Sequence, residues 1–138
     1  MAQIIIATHG GLSRGMLDSL HMVAGGAADG IETYSLEFGQ NPNDYYEQLR
    51  ERISASDEQF IIMCDIKGGS VHNALFRLTE FPNVVIFSGL TMAWRSRSPL
   101  PPATASMPPP PSACSSAREG VTVCMGGEVV DEEEDEDF

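Results

Sequence analysis

Three short, almost wholly apolar runs constrain this chain more than anything else in it. They are Gln3-Ile4-Ile5-Ile6-Ala7-Thr8, Phe60-Ile61-Ile62-Met63-Cys64 and Val84-Val85-Ile86-Phe87. Glycines close each of them soon afterwards, at Gly10-Gly11, Gly68-Gly69 and Gly89. Runs of this kind read as strands buried on both faces, which a parallel sheet covered by helices requires. Between them the periodicity turns helical. Leu12, Met16, Leu17, Leu20 and Val23 mark a helix over residues 12–24, with Ser13 as its N-cap and Gly25-Gly26 as its stop. Asn41-Pro42 starts a second helix, to about Ala55, with Tyr45, Leu49 and Ile53 turned inward. Ser70 caps a third, to about Thr79, with Val71, Ala74, Leu75 and Leu78 buried. Residues 31–36 alternate in polarity and predict a strand nearer the sheet edge. Strand and helix alternate throughout, so the crossovers are right-handed. The predicted fold is α/β, a parallel open sheet with helices on both faces in three layers.

A chain of 138 residues makes one domain with its own core. No apolar run is long enough to span a bilayer, and Met1-Ala2-Gln3 lacks the basic start of a secretory signal. Cys64, Cys114 and Cys124 have neither metal-ligand spacing nor an obvious pairing, which suits a reducing cytoplasm and implies no metal. The net charge of −12 argues against nucleic acid as a partner. Asp131 to Asp137 is an unbroken run of seven acids, so the remainder carries −12 + 7, about −5. That run predicts a solvated, disordered tail.

The chemistry lies at two strand ends. His9 follows the first apolar strand and Asp65 ends the second. In an open α/β sheet those ends lie on one edge, where ligands bind. Taken singly, His9 is compatible with a loop histidine and Asp65 with a helix-entry turn residue. Taken together they suggest a carboxylate that fixes the tautomer of an imidazole, leaving the other ring nitrogen as a nucleophile. Gly10 allows a sharp turn and close approach of an anion, and Gly68, Gly69 and Ser70 open a helix whose N–H groups favour negative charge. The set suits transient carriage of a phosphoryl group. His21 lies off the apolar stripe of its helix and reads as a surface residue.

Ile6-Ala7-Thr8-His9-Gly10 before one helix, and Cys64-Asp65-Ile66-Lys67-Gly68-Gly69-Ser70-Val71-His72-Asn73-Ala74 across the start of another, resemble the IIA component of the mannose-family sugar phosphotransferase system. The resemblance covers about residues 1–90 and rests on two linked motifs, Thr-His-Gly and Asp-x-x-Gly-Gly-Ser-x-x-Asn-Ala. It implies a transferase in which His9 accepts phosphate from the phosphocarrier HPr and passes it to a IIB partner. Asp65 would orient that histidine, and Ser70 would bond near the phosphoryl group. It implies no cofactor, contact with the membrane only indirectly through the transporter components, and a homodimer formed by exchange of a C-terminal strand. His72 lies outside the carried positions and reads as a helix-surface residue. A related carrier that feeds a dihydroxyacetone kinase shares the histidine but not Gly68-Gly69-Ser70. A non-catalytic binding module with a degenerate site is the third reading.

The chain departs from the family in two places. Ile66 stands where relatives often carry a hydroxyl. After Gly89 the family continues into a long amphipathic helix, whereas here seven of the nine prolines fall in residues 99–111. A helix interior does not tolerate such a run, so residues 93–116 read as a low-complexity segment that forms no buried helix. A displaced reading frame over residues 90–114 is our hypothesis for it. The codons of Met92 to Pro99, read from their third bases, permit Gly-Leu-Ala-Leu-Glu-Ile-Ala, a helical peptide. Resequencing the coding DNA tests this, and an undisturbed frame would sink it. The organisation expected is a phosphocarrier core at 1–92, the abnormal segment at 93–116, a strand region at 117–130 centred on Val121-Thr122-Val123, and the acidic tail at 131–138.

Overall fold

The computed structural model describes residues 2–92 and 111–127. Four strands, β1 (Gln3–His9), β2 (Glu32–Leu36), β3 (Phe60–Cys64) and β4 (Val84–Ser88), form one sheet in the order β2-β1-β3-β4. All three pairings are parallel. Helices α1 (Leu12–Ala24), α2 (Pro42–Ser54) and α3 (Ser70–Phe76) are the crossovers. The three-layer α/β reading therefore holds, with the alternating strand at an edge as expected.

The two faces of the sheet are packed by different helices. Ile5, Ala7, Ile62 and Cys64 point one way, into a core closed by Leu49 and Ile53 of α2 and Val71 and Leu75 of α3. Ile6 points the other way, onto Leu20 of α1, with Ala28 and Ile31 beside it. Such alternation across a strand puts consecutive isoleucines into separate cores. Every residue of β3 is buried, as a central strand with helices on both sides demands.

Several local expectations change in the folded chain. Tyr46 joins Leu49 and Ile53 in the core, and Tyr45, half-buried, packs against it with its ring stacked on Tyr34, centroids 3.9 Å apart. Of the α1 stripe, Leu20 is 1% exposed, but Leu12 is 49% exposed because it lies beyond the carboxyl end of β1. The third helix tightens into a 3₁₀ turn at Arg77–Glu80. Neither serine expected as a cap acts as one. Gly11 and Gly69 hold the N-cap positions of α1 and α3, with Leu12 and Ser70 the first helical residues. The buried Thr8 hydroxyl at the end of β1 receives the Ser13 N–H at 2.8 Å, and the Ser13 hydroxyl bonds that of Ser35 at 2.7 Å.

Residues 111–119 overlap the end of the segment expected to form no buried helix, and Cys114, Ser115, Arg118 and Glu119 there are exposed. Residues 111–119 form a helix, α4 (Pro111–Glu119). Pro111 is its first residue, where no intrahelical N–H is needed and the fixed φ suits a helix. A concavity of ≈ 580 Å³ separates Cys114, Ala117 and Arg118 from Met63 and Phe87. Val121 and Val123 are exposed and join no strand among the described residues, so the expected C-terminal strand is not part of the described sheet. The segment 93–110, the centre of the frame hypothesis, and the acidic tail lie outside the described residues.

Candidate functional site

Strand order creates the site. The chain leaves β1 for β2 on one side and later returns to place β3 on the other, so the crossovers diverge between β1 and β3. A crevice opens at such a divergence, beyond the carboxyl ends of the strands. Ala7 lies opposite Cys64 in the register, which brings His9 and Asp65 out of the sheet side by side.

The imidazole of His9 is held at both nitrogens. Nδ1 lies 2.9 Å from Oδ2 of Asp65, and Nε2 lies 2.9 Å from Oγ of Ser70. The same Oδ2 receives the backbone N–H of His9 at 2.9 Å, and Oδ1 receives that of Ile66 at 3.0 Å. Partial burial pushes the Asp65 carboxyl up. The His9 amide, the His9 ring and the Ile66 amide outweigh it and hold the group below the usual carboxylate range. An ionised carboxylate only accepts hydrogen bonds, so Nδ1 carries a proton, and in the neutral ring Nε2 then holds the lone pair. To that neutral ring the Ser70 hydroxyl, which does not cap α3, is the donor.

The glycines serve this arrangement by shape. Gly10 and Gly68 have φ of +56° and +80°, which side chains rarely adopt. A Cβ on Gly69 would stand 2.7 Å from Cγ2 of Ile66 and 3.1 Å from Cε1 of His9, so its absence lets the imidazole lie over the loop. The N–H groups of the three glycines have partners within the protein. Gly10 donates to the Leu36 carbonyl at 2.7 Å, Gly69 to the Ile66 carbonyl at 3.3 Å, and Gly68 to Nδ1 of His72 at 3.2 Å. These bonds close the turns and the entry to α3.

Three features escaped sequence reasoning. His72 is a hydrogen-bond acceptor rather than a plain surface residue, and Asn73 donates from Nδ2 to the Gly68 carbonyl at 3.0 Å. Arg14 lies with Glu37 and Phe38 around a concavity of ≈ 470 Å³ beside His9, its Nη1 3.8 Å from the Glu37 carboxylate. The lone signal for Arg14 was a cation one turn past the glycines. His21 is exposed, with Nδ1 3.6 Å from Asp29, away from this edge. No helix among the described residues is long and apolar enough to cross a membrane.

The model of the family EIIA-man, described as the fructose IIA component of the phosphotransferase system, matches residues 3–92. No curated protein matches the chain. Solved structures share its fold. A mannose/sorbose-specific IIA subunit from Enterococcus faecalis is 19% identical, with a TM-score of 0.75, over 94% of this chain and 98% of that one. The phosphotransferase component EIIA from Streptococcus agalactiae is 22% identical, with a TM-score of 0.72, over 89% and 97%. The IIA protein associated with the fucose utilization operon of Streptococcus pneumoniae is 24% identical, with a TM-score of 0.70, over 88% and 92%.

Proposed function

The chain belongs to the EIIA-man family of phosphotransferase-system IIA components, and on that premise we propose that it is a phosphocarrier that takes a phosphoryl group from HPr onto Nε2 of His9 and passes it to a IIB component during sugar uptake. One observation carries the reading: Asp65 and Ser70 stand on opposite nitrogens of the same imidazole, each at 2.9 Å.

The transfer follows from that geometry. The Nε2 lone pair forms a bond to phosphorus as the N–P bond of the donor phosphohistidine breaks, and that bonding pair returns to the donor ring. His9 gains positive charge in the process. The Asp65 carboxylate, 2.9 Å away on Nδ1, is placed to balance it without moving. The Ser70 O–H must leave Nε2 as phosphorus arrives, and it then lies within reach of a phosphoryl oxygen. Delivery of the group to IIB reverses these steps.

The surroundings suit protein partners. The His9 side chain is 45% exposed. Leu12 at the start of α1, with Phe38 and Ile66 in the loops after β2 and β3, offers apolar surface at the same edge. The complete row of Asp65, His9 and Ser70 favours a carrier over a binding module with a degenerate site. Homodimer formation through the C-terminal segment belongs to the same proposal, since among the described residues β4 is an edge strand and Val121 and Val123 are exposed.

The test is incubation with labelled phosphoenolpyruvate, enzyme I and HPr, followed by mapping of the label. Acid-labile label on His9 is expected, and His9→Ala should lose it while keeping the fold. Label on His21 or His72 would overturn the assignment.

A further inference from the structure

The loop from Asp65 to Ser70 carries both partners of His9, and α3 holds that loop at its middle. The Gly68 N–H donates to Nδ1 of His72 at 3.2 Å, and Nδ2 of Asn73 donates to the Gly68 carbonyl at 3.0 Å. Successive side chains of α3 thus pin the two peptide groups on either side of a glycine at φ +80°. Without those contacts the point of greatest backbone freedom in the loop would lie between Asp65 and Ser70.

A ring nitrogen receives a peptide N–H only when it bears no proton. His72 is therefore neutral, with its proton on Nε2. His9 needs the opposite arrangement, because the Asp65 carboxylate on its Nδ1 can only accept. Two histidines of one site thus hold their protons on opposite nitrogens, each set by its own partner. Packing alone does not account for His72. Its ring lies tilted against Phe76, with centroids 5.7 Å apart, and any aromatic ring would meet that contact. The bond to Gly68 requires a nitrogen.

We propose that His72 is a positioning residue for phosphoryl transfer at His9: by receiving the Gly68 N–H it fixes the loop that presents Ser70 to Nε2. The proposal rests on the carrier reading above. It expects the catalytic step to suffer when the acceptor is lost, while HPr binding does not, since the loop acts after docking.

The test uses the full chain with His72→Phe and His72→Asn. Phenylalanine keeps the ring against Phe76 and removes the acceptor, whereas the Oδ1 atom of asparagine takes the place of Nδ1. His72→Phe should lower kcat for transfer from phospho-HPr about tenfold, the order expected for loss of one positioning hydrogen bond, with KM unchanged. Exchange of the Gly68 amide should quicken in parallel. His72→Asn should restore both toward the wild type. In wild-type protein, nitrogen NMR of the imidazoles should place the proton on Nε2 of His72 and on Nδ1 of His9. A phenylalanine variant with wild-type kcat and Gly68 exchange overturns the proposal, as does a His72 ring with its proton on Nδ1. If wild-type protein accepts no phosphoryl group, the carrier reading falls separately. Gly68 exchange and the ring tautomers then decide whether His72 holds the loop.

Discussion

One oxygen of Asp65, Oδ2, lies 2.9 Å from the backbone nitrogen of His9 and 2.9 Å from its Nδ1. A single carboxylate oxygen thereby fixes both the strand end and the ring it carries. The Asp65 side chain is 12% exposed against 45% for His9, so the orienting group is sheltered and the nucleophile is presented.

Asp65→Asn should slow phosphoryl transfer by about a hundredfold, the low end for loss of an electrostatic partner at developing charge. It should also change acid stability. The folded carboxyl is held below its ordinary value. Its stabilisation is therefore present above the unfolded value of about 3.9 and lost as pH falls through the folded value. Acid unfolding of the wild type should carry a component below about pH 4 that the asparagine variant lacks. Coincident acid unfolding curves and unchanged transfer kinetics would show that Asp65 is not needed in ionised form.

Gly69→Ala separates sterics from backbone strain. The φ of −69° at this residue suits alanine, but its Cβ would meet Ile66 Cγ2 at 2.7 Å and His9 Cε1 at 3.1 Å. The Ile66 side chain and the His9 ring must shift, at a stability cost of about 1–3 kcal/mol. Transfer should fall far more than stability does. Equal transfer rates in the variant and wild type, with unfolding measured alongside, would show that the ring has room to spare.

Thr8→Val should destabilise the protein by about 1–3 kcal/mol, because it leaves the Ser13 N–H without its partner in a fully buried place. Ser13→Ala should cost less, since the Ser13 hydroxyl bonds another hydroxyl and no backbone donor depends on it. Chemical denaturation of both variants checks the order. The reverse ranking would mean that Ser13, not Thr8, secures the start of α1.

Burial, and then the charge of Asp65, push the Cys64 thiol up to about 12. At pH 8 a disulfide reagent should modify the exposed Cys114 and Cys124 quickly and reach Cys64 only after unfolding. Rapid reaction of all three thiols in native protein would show that the β3 end opens readily.

By itself the sequence determined the elements and the chemistry available to them. Buried parallel strands leave contiguous apolar runs, so β1, β3 and β4 were legible from composition along the chain. Glycines and helical spacing marked where each crossover begins, and they placed His9 and Asp65 at strand ends. Pro111 showed the limit of that reasoning: a residue that breaks helix interiors proved to start α4, because the outcome depends on position within the helix. The tertiary structure alone decided partners. Ser13 and Ser70 have the chemistry of N-caps, but the pairing of β1 with β2 brings the Ser35 hydroxyl to the first, and that of β1 with β3 brings the His9 ring to the second. The N–H groups of Gly68 and Gly69 open a helix, and the folded loop gives them Nδ1 of His72 and the Ile66 carbonyl as partners. His72 looked like surface until α3 laid its ring against the Gly68 amide. Propensity and periodicity act between residues a few positions apart. A hydroxyl or an imidazole takes the best-placed donor or acceptor in space, and His9 finds its partners 56 and 61 residues away.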